Sequence, residues 1–576
     1  MAKLGVEQHE SFATFRLWAP FAQKVAVGGD FSDWQNIPLT KNETTGVWEA
    51  IIKRVKPGNS YKYEILGFDN LLHYKNDPRA KVLTDSDVGR SVVADDEFNW
   101  EGCEKTPVVS RSKQIIYELH IGTFVRPDAA TSGTFTTAIE KLDYLKELGV
   151  TTIELMPITS MATSNGWGYA PNALYSVEPL YGGMFGLKTF VKEAHKRGLQ
   201  VILDMVYNHF SGSTDLWQFD GWSKDNHGGI YFYNDSRGDT PWGGRPDYGR
   251  PEVRDFILDN VAMWLSDYRV DGFRIDSTIY MRNTAGLNDD PAHDIGDAWD
   301  LLSEITALAH KINPDALMIA EDYAGNSMIT AAREDEGCGF DSQWDLGLPH
   351  VIRGALGIPG EGPGLQNISN VLQQNFNNDW TKRIVFADSH DTAANGNTRI
   401  VSAASQNTHS TNSRKIAILS SAIALTAPGI PMILAGSEFL QGGDFNDWNA
   451  LAWENTDKFK GIIEAHKHLI ALRQNQHGNT GGLMSGEIKI LSADEKNKVL
   501  VYQRGSDDEA VIIATSFNPS EVIDYQLPIP DGQWNIGFDS SWRGYSPDFK
   551  ELNIEKINNQ TKISLPAYII LIITKN

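Results

Sequence analysis

The 576-residue chain has only two cysteines, and its apolar runs are short. Cys103 and Cys338 are too few for a disulfide framework or a thiolate metal site, so we expect two buried thiols, with one bond between them left open. A membrane helix needs about 18 consecutive apolar residues, which the sequence nowhere approaches, and Met1 to Glu10 lack the apolar core of a signal peptide. These absences predict a cytoplasmic protein without a membrane partner.

Basic residues are also scarce. The 51 Lys and Arg residues face 74 Asp and Glu residues, which gives a formal net charge of −23. Binding to nucleic acid requires a basic face that neutralises phosphates, and an anionic membrane surface makes the same demand, so neither partner is expected. With 41% hydrophobic and 22% charged residues the composition is that of a folded protein, and its length suits several domains or one large α/β barrel with attachments.

Three patterns divide the chain. Residues 12–100 alternate β-branched and aromatic runs with turns, which predicts a β-sandwich, and strand patterns return after residue 480. Between them, short apolar runs alternate with helical stripes, and seven or eight such repeats predict a (β/α)8 barrel. We therefore predict an α/β fold in which a (β/α)8 TIM barrel (106–475, with an insertion at about 210–250) is flanked by antiparallel β-sandwich domains at 1–105 and 476–576. The apolar runs are Ile115–Leu119, Thr152–Met156, Val201–Met205, Val270–Ile275, Leu317–Ala320, Ile384–Phe386 and Pro431–Leu434.

Acidic residues follow four of the predicted barrel strands. Asp204, Asp276, Glu321 and Asp391 stand where strands end and loops begin, the rim at which such barrels carry catalytic groups. Each alone has a structural explanation as a helix cap or an ion-pair partner, but together they point to one site. Crowded carboxylates repel, so some must be neutral or paired, which is how acid and base roles are separated. The side chains that accompany them are Asn208, His209, Arg274, Asp322, Ser389 and His390.

Four ordered motifs carry a resemblance to a known family. They read Asp204-Met-Val-Tyr-Asn-His209, Gly272-Phe-Arg-Ile-Asp276, Ala320-Glu321-Asp322 and Ser389-His390-Asp391. In this order they resemble the signatures of the α-amylase family of glycoside hydrolases, family 13. The stretches Arg16-Leu-Trp-Ala-Pro20 and Gly29-Asp-Phe-Ser-Asp-Trp34 resemble a carbohydrate-binding module of family 48. The resemblance covers nearly the whole chain and implies an enzyme whose partner is an α-glucan such as starch, glycogen or a malto-oligosaccharide.

The resemblance implies roles for three carboxylates. Asp276 is the expected nucleophile, Glu321 the general acid and base, and Asp391 the carboxylate that holds sugar hydroxyls in the transition state. These residue types suit a retaining glycosidase, which needs one ionised carboxylate and, about 5–5.5 Å away, a second carboxyl group with a raised pKa. Arg274, two residues before Asp276, is expected to keep that carboxylate ionised.

The resemblance also implies contacts to the sugar being cleaved. His209 and His390 are expected to donate hydrogen bonds to its hydroxyls, and Tyr169 to stack beneath its ring. We include Asp204 and Trp167 in the substrate-binding set, Asp204 as a residue that orients its neighbours and Trp167 with a place in the core left open.

The implied chemistry requires no cofactor and no metal ion. Oxygen ligands around Asp204 and Asn208 could hold a structural calcium ion, as in many family members, but the acids of the following loop do not have the spacing of a dedicated calcium loop. We therefore expect no metal site. A phosphate-binding loop and a dinucleotide fingerprint are also missing from the sequence.

Family membership leaves the product open. Ile153-Glu-Leu-Met-Pro157 and Phe386-Ala-Asp-Ser-His-Asp391 resemble branching enzymes, whereas Tyr117-Glu-Leu-His-Ile-Gly-Thr-Phe124 is shared with trehalohydrolases. Thr392 stands where branching enzymes carry Glu or Gln. We predict 1,4-α-glucan branching, with an amylase-type or trehalohydrolase-type hydrolysis as the alternative.

A hypothesis from another class is a glucan-binding protein without catalysis. Loss of Asp276 or Glu321 would indicate it, and the sequence retains both. We expect an enzyme that is a monomer or a small homo-oligomer.

Overall fold

The computed structural model describes residues 3–86, 89–103, 106–161, 166–212, 214–361, 364–405 and 407–575. Within these ranges the chain forms an N-terminal β-domain, an eight-stranded barrel and a C-terminal β-domain. Helices that are long and apolar enough to cross a membrane are absent from the same ranges. Cys103 and Cys338 are buried as expected, and neither takes part in a disulfide among the described residues.

Two sheets make up the N-terminal domain. Its strands are β1 Gly5–Gln8, β2 Phe12–Trp18, β3 Lys24–Gly29, β4 Ile37–Pro38, β5 Thr40–Lys41, β6 Val47–Lys53, β7 Ser60–Leu66, β8 Leu72–Lys75, β9 Val82–Leu83 and β10 Ser91–Val92. The strand order is β1-β2-β6-β5 in one sheet and β4-β3-β7-β10-β9 in the other, with β8 paired to β7. In β7 the alternate residues Tyr61, Tyr63 and Ile65 are buried, as the two-residue period of a strand with one buried face requires.

Parallel strands close the central barrel. The middle of the chain contains β11 Ile116–Leu119, β12 Thr152–Leu155, β13 Thr159–Met161, β14 Pro171–Val177, β15 Gln200–Met205, β16 Phe210–Ser211, β17 Gly243–Gly244, β18 Gly272–Ile275, β19 Leu317–Ala320, β20 Ser342–Trp344, β21 Arg383–Val385 and β22 Ile430–Leu434. The barrel order is β11-β12-β15-β18-β19-β20-β21-β22, and β22 pairs with β11. The predicted (β/α)8 barrel is therefore confirmed, and its strands deliver their carboxyl ends to one rim.

The helices of the barrel follow its strands. They are α1 Ile121–Phe124, α2 Phe135–Ile139, α3 Leu142–Leu148, α4 Gly183–Lys196, α5 Pro251–Asp267, α6 Thr278–Arg282, α7 Gly296–Ile312, α8 Gly347–Ala355, α9 Leu365–Leu372, α10 Ile400–Ala404, α11 Thr411–Thr426, α12 Asn455–Lys458 and α13 Lys460–Arg473. α3 ends at Gly149, whose φ of 100° is a left-handed conformation that costs glycine little.

The insertion after the third barrel strand joins the barrel to the N-terminal domain. Trp222 stacks on Phe21 with ring centroids 4.6 Å apart, and Tyr231 meets Trp18 edge-on at 5.5 Å. The Asp220 carboxylate accepts a hydrogen bond of 2.9 Å from the backbone N–H of Phe21. Aromatic residues of this segment therefore pack against aromatic residues of the N-terminal domain at the contact between the two.

A second β-domain ends the chain. Its strands are β23 Ile488–Asp494, β24 Val499–Arg504, β25 Val511–Ser516, β26 Val522–Gln526, β27 Trp534–Asp539, β28 Lys556–Ile557, β29 Lys562–Leu565 and β30 Ile570–Lys575. The main sheet has the order β23-β24-β25-β30-β27-β28, and β26 pairs with β29.

A buried arginine ties this domain to the barrel. Arg504 ends β24 and is fully buried, and its guanidinium donates to the backbone carbonyls of Thr426, at the end of α11, and of Ser485. Burial lowers the pKa of Arg504 to about 10. A cation beside the last carbonyls of a helix also complements the negative end of the helix dipole.

We expect Arg504→Met to destabilise the protein markedly. The substitution leaves the buried carbonyl of Thr426 and the partly buried carbonyl of Ser485 without this donor, so the free energy of unfolding should fall by about 2–4 kcal/mol. Urea denaturation followed by tryptophan fluorescence measures this change. Arg543→Met, at an exposed arginine of the same domain, is the control. Equal midpoints for the two variants would contradict the role given to Arg504.

Candidate active site

Four barrel strands bring carboxylates together at one rim. Asp204 lies in β15, Asp276 directly follows β18, Glu321 directly follows β19, and Asp391 lies beyond the end of β21. Asp204 and Arg274 are register partners on neighbouring parallel strands, so their side chains leave the sheet on the same face. The first three carboxylates are buried, and Asp391 is partly exposed.

Arg274 donates hydrogen bonds to Asp204 and Asp276 and lies within ion-pair distance of Glu321. Its Nη1 lies 2.7 Å from Asp204 Oδ1 and 2.8 Å from Asp276 Oδ1, and its Nη2 lies 2.9 Å from Glu321 Oε1. The guanidinium also lies over the ring of Trp344, 4.4 Å from its centroid. Sequence reasoning paired Arg274 with Asp276 alone, whereas the structure makes it the centre of the cluster.

Asp276 is held as a hydrogen-bond acceptor at both oxygens. Arg274 binds Oδ1, and the side-chain amide of Asn208 donates to Oδ2 at 2.6 Å. Two donors on opposite oxygens fix the plane of the carboxylate and suit its charged form. Asn208 has a direct role here that sequence reasoning weighed only for a metal site.

Glu321 is held in a different way. Ser277 has a φ of 43°, a left-handed conformation that is costly outside glycine, and its backbone N–H donates to Glu321 Oε2 at 2.9 Å. Burial and the nearby charges of Asp276 and Asp391 raise the pKa of Glu321 to about 8, although Arg274 opposes the shift. At neutral pH this carboxyl group therefore carries a proton that it can donate.

Asp391 and His390 form a third part of the site. Burial opposes the ionisation of Asp391, yet His390 and Arg274 hold its pKa below the ordinary value. His390 Nε2 lies 3.4 Å from Asp391 Oδ1, and the hydroxyl of Tyr323 donates to Asp391 Oδ2 at 3.2 Å. Sequence reasoning missed Tyr323, which follows Glu321 by two residues and is 41% exposed at the mouth of the site.

Aromatic residues line the other side of the site. The ring of Tyr169 stacks on His390 with centroids 5.1 Å apart, and its hydroxyl donates to Asp204 Oδ2 at 2.5 Å. Trp167 meets both His390 and Phe445 edge-on, at 5.9 Å and 5.5 Å. Trp167 therefore packs against a small apolar cluster and also borders the site through His390. A contact between Trp167 and the sugar stays a prediction.

The ring of His209 is engaged by the protein. Its Nδ1 lies 2.5 Å from Asn208 Oδ1 and its Nε2 lies 2.8 Å from the carbonyl oxygen of Tyr169. Burial lowers the pKa of His209. Asp204 is engaged in the same way by Arg274 and Tyr169, as expected for a residue that orients its neighbours.

Asp322, which ends the third motif, and Asp388, which precedes the fourth, lie outside this site. Asp322 directs its carboxylate to the buried guanidinium of Arg282, with contacts of 2.8 and 2.9 Å. Asp388 accepts from the backbone N–H of Ile400 at 2.8 Å and pairs with Arg353. Both support the fold behind the rim.

The described ranges do not contain a group of three or more His, Cys, Asp or Glu side chains placed to hold a metal ion. In the insertion, Asp220 accepts from the backbone N–H groups of Phe21 and Trp222, and Asp235 pairs with Arg237. These acids therefore have local partners. The expectation that the reaction needs no metal ion stays a prediction.

Three family descriptions match successive parts of the chain. Residues 119–246 and 244–475 match the alpha amylase catalytic domain, and residues 490–576 match the alpha amylase C-terminal all-beta domain. Residues 3–80 match carbohydrate-binding module 48, the isoamylase N-terminal domain.

Curated relatives are similar over most of their length. The chain is 28% identical over 570 residues to 1,4-alpha-glucan branching enzyme GlgB of Fusobacterium nucleatum, covering 95% of this chain and 90% of that protein. It is 32% identical over 472 residues to malto-oligosyltrehalose trehalohydrolase of Saccharolobus solfataricus, covering 77% and 76%. Among solved structures, pullulanase from Anoxybacillus sp. superposes with a TM-score of 0.79 at 19% identity, over 100% of this chain and 87% of that one, a likeness of fold.

Proposed function

This chain belongs to the alpha-amylase family, and from that premise we propose that it is a retaining enzyme that cleaves α-1,4-glucosidic bonds and transfers the glycosyl segment held on Asp276 to a sugar hydroxyl, forming α-1,6 branches. The observation that carries the proposal is the contrast between two carboxyl groups bound by one arginine. Asp276 accepts hydrogen bonds at both oxygens, whereas the raised pKa of Glu321 keeps a proton on it. A retaining glycosidase needs this pairing of one ionised and one protonated carboxyl group.

In the first step a bond to the nucleophile replaces the glucosidic bond. Glu321 gives its proton to the glucosidic oxygen while Asp276 attacks the anomeric carbon from the opposite face. The carbon–oxygen bond breaks, its electron pair leaves with the protonated glucan, and an ester joins the sugar to Asp276. Asp391, held ionised beside His390, would bind sugar hydroxyls as the ring flattens.

In the second step the acceptor reverses these roles. Glu321, now ionised, takes the proton of an incoming hydroxyl, whose oxygen attacks the anomeric carbon and releases Asp276. A glucose 6-hydroxyl as acceptor creates an α-1,6 branch, and water creates a reducing end. Groups of the chain handle every proton and charge in this scheme, so we propose that it needs no cofactor.

Two acceptors are candidates for the second step, a sugar hydroxyl and water. Similarity over nearly the full length of a branching enzyme supports transfer to a sugar hydroxyl. The higher identity to a trehalohydrolase, over a shorter part of the chain, supports hydrolysis as the second candidate. Acceptor positioning and exclusion of water decide between them, and loops control both.

Proton NMR of amylose incubated with the enzyme tests the proposal. We expect α-1,6 anomeric signals to grow while reducing ends stay nearly constant. Rising reducing ends without α-1,6 signals would replace branching by hydrolysis. If neither changes, malto-oligosyltrehalose is the next substrate, because its cleavage would indicate the trehalohydrolase reaction.

A further inference from the structure

Two glutamates lie side by side inside the barrel beneath the carboxylate cluster. Glu118 of β11 and Glu154 of β12 are register partners on parallel strands, and both are fully buried. Neither belongs to the four motifs around Asp204, Asp276, Glu321 and Asp391. A buried carboxylate is costly unless it is paired or protonated, so each glutamate requires an explanation.

Both carboxylate oxygens of Glu118 contact His390. Its Oε1 lies 2.5 Å from Nδ1 of His390, and its Oε2 accepts from the backbone N–H of His390 at 3.0 Å. The carboxylate therefore fixes the backbone and the ring of that residue together. On its other side the ring is stacked by Tyr169, so its plane is fixed as well.

Glu154 has the opposite surroundings. Among the described residues neither of its oxygens has a hydrogen-bond partner. Burial and the neighbouring charge of Glu118 raise the pKa of Glu154 well above its ordinary value. These surroundings favour the neutral form of Glu154, whereas both oxygens of Glu118 contact donors of His390, an arrangement that suits a carboxylate.

We propose that Glu118 is a positioning residue that keeps His390 doubly protonated and directs its Nε2–H toward Asp391 and the sugar hydroxyl bound there. Glu118 Oε1 accepts a hydrogen bond from Nδ1–H, and Asp391 Oδ1, 3.4 Å from Nε2, is a second carboxylate acceptor. A ring that carries protons on both nitrogens therefore faces a carboxylate at each of them. The chain of contacts runs from β11 through His390 to a carboxylate of the site. Its consequence for catalysis rests on the proposed function, but the protonation state of His390 does not.

The charges around His390 favour the cation. Burial disfavours it, but the carboxylates of Asp391 and Glu118 outweigh that cost and raise the pKa of His390 to about 10. Arg274 opposes them, and burial lowers the pKa of His120 to about 4, so that ring is neutral. The titratable groups that face His390 from the surrounding elements are Glu118, His120, Glu154, Tyr169, Asp204, Arg274 and Asp391.

The protonation state can be read directly from the imidazole nitrogens. In enzyme labelled with ¹⁵N-histidine, we expect one histidine to keep both ring nitrogens protonated up to pH 8, and its loss in His390→Gln identifies it. In Glu118→Gln this histidine should become neutral at a lower pH than in the wild type, because Asp391 is then the only one of the two carboxylates left to offset burial. Glu154→Gln is the matched control, because it replaces a neutral carboxyl group by a neutral amide on the adjacent strand, and it should leave the signal unchanged.

Activity gives the second measurement. We expect Glu118→Gln to lower kcat about 10- to 100-fold, the scale reached when a metal-ligating histidine loses the partner that orients it, with a smaller change in KM. Its activity should also begin to fall at a lower pH than that of the wild type, and Glu154→Gln should stay within about threefold of the wild type.

Three results would overturn the proposal. One is a neutral His390 in the wild type at pH 8, a result that does not depend on Glu118→Gln and so holds even if that variant does not fold. The others are an unchanged His390 signal in Glu118→Gln and equal effects of the two glutamine variants. If the enzyme proves to have another activity while the histidine titrates as expected, the proposed function fails and the role of Glu118 stands.

Discussion

Asp276→Asn is expected to lower kcat by about 10⁴-fold or more, the scale that removal of a covalent nucleophile reaches, while glucan binding is retained. The amide keeps the shape of the side chain and still accepts from Arg274 or Asn208 at one oxygen. It is a far weaker nucleophile, so the glycosyl-enzyme does not form. Single-turnover assays on malto-oligosaccharides measure the loss, and calorimetric titration measures binding.

A rescue experiment separates the nucleophile from the acid. In Asp276→Ala, azide should displace fluoride from α-maltosyl fluoride on the face that Asp276 occupied and give β-maltosyl azide and fluoride ion. In Glu321→Ala the intermediate still forms, and azide should then release it as α-maltosyl azide. The anomeric configuration of the product therefore reports which carboxylate is missing.

The control for these variants is Asp255→Asn, at an exposed aspartate of α5. It should retain wild-type turnover. If Asp276→Asn turned over as fast as the wild type, the nucleophile would be another residue. If the wild type bound glucan but did not turn it over, the protein would be a glucan-binding protein without catalysis.

Strand positions could be predicted where the barrel wall is apolar. The run Leu317–Ala320 matches β19 to the residue, because a strand buried on both faces has to be continuously apolar. The position of β20 could not be predicted in this way, because two of its three buried residues, Ser342 and Gln343, are polar and only Trp344 is apolar. The apolar residues Ile139, Leu142, Leu145 and Leu148 repeat at a spacing typical of one helix, yet Ile139 ends α2 and the three leucines lie in α3, a division that periodicity alone does not reveal.

The site could be predicted as a set of residues but not as a set of contacts. Because the carboxyl ends of the barrel strands share a rim, the acids could be predicted to lie close together. The three contacts of Arg274 could not be predicted, because they join residues of three strands and depend on the exact stagger of the barrel. Tyr169 and His390 stack across a separation of more than 200 positions in the sequence. Local pattern carries no information about such a pair.

The sequence contains one further indication of the site, in the first two barrel strands. Glu118 and Glu154 interrupt the apolar runs of β11 and β12, where a charged residue is expensive to bury. A glutamate in the middle of a buried strand is therefore evidence of a paired or protonated group near the barrel axis. The position of Glu118 in a buried strand is therefore enough to predict a functional or paired group without any motif, whereas its contact with His390 can be seen only in the structure.

The alkaline side of the pH profile should report the proton on Glu321. The first chemical step needs this group protonated, so kcat/KM of the wild type is expected to fall as pH rises through about 8, where Glu321 loses its proton. Below that pH the group stays protonated, and its contribution is constant. Initial rates on maltoheptaose between pH 5 and 10 measure the profile.

Glu321→Gln should remove this dependence together with most of the activity. The amide has no proton to give, so we expect kcat/KM to fall about 10²- to 10⁴-fold on glucans, the usual contribution of general acid catalysis, and the fall near pH 8 to vanish. With α-maltosyl fluoride the leaving group needs no proton, so formation of the glycosyl-enzyme should be nearly normal. Glu154→Gln makes the same chemical change at a buried glutamate outside the site and should keep the wild-type profile. A fall near pH 8 that persists in Glu321→Gln would assign the titrating proton to another group, and His390, whose pKa is raised to about 10, would then be the next to test by the same substitution series.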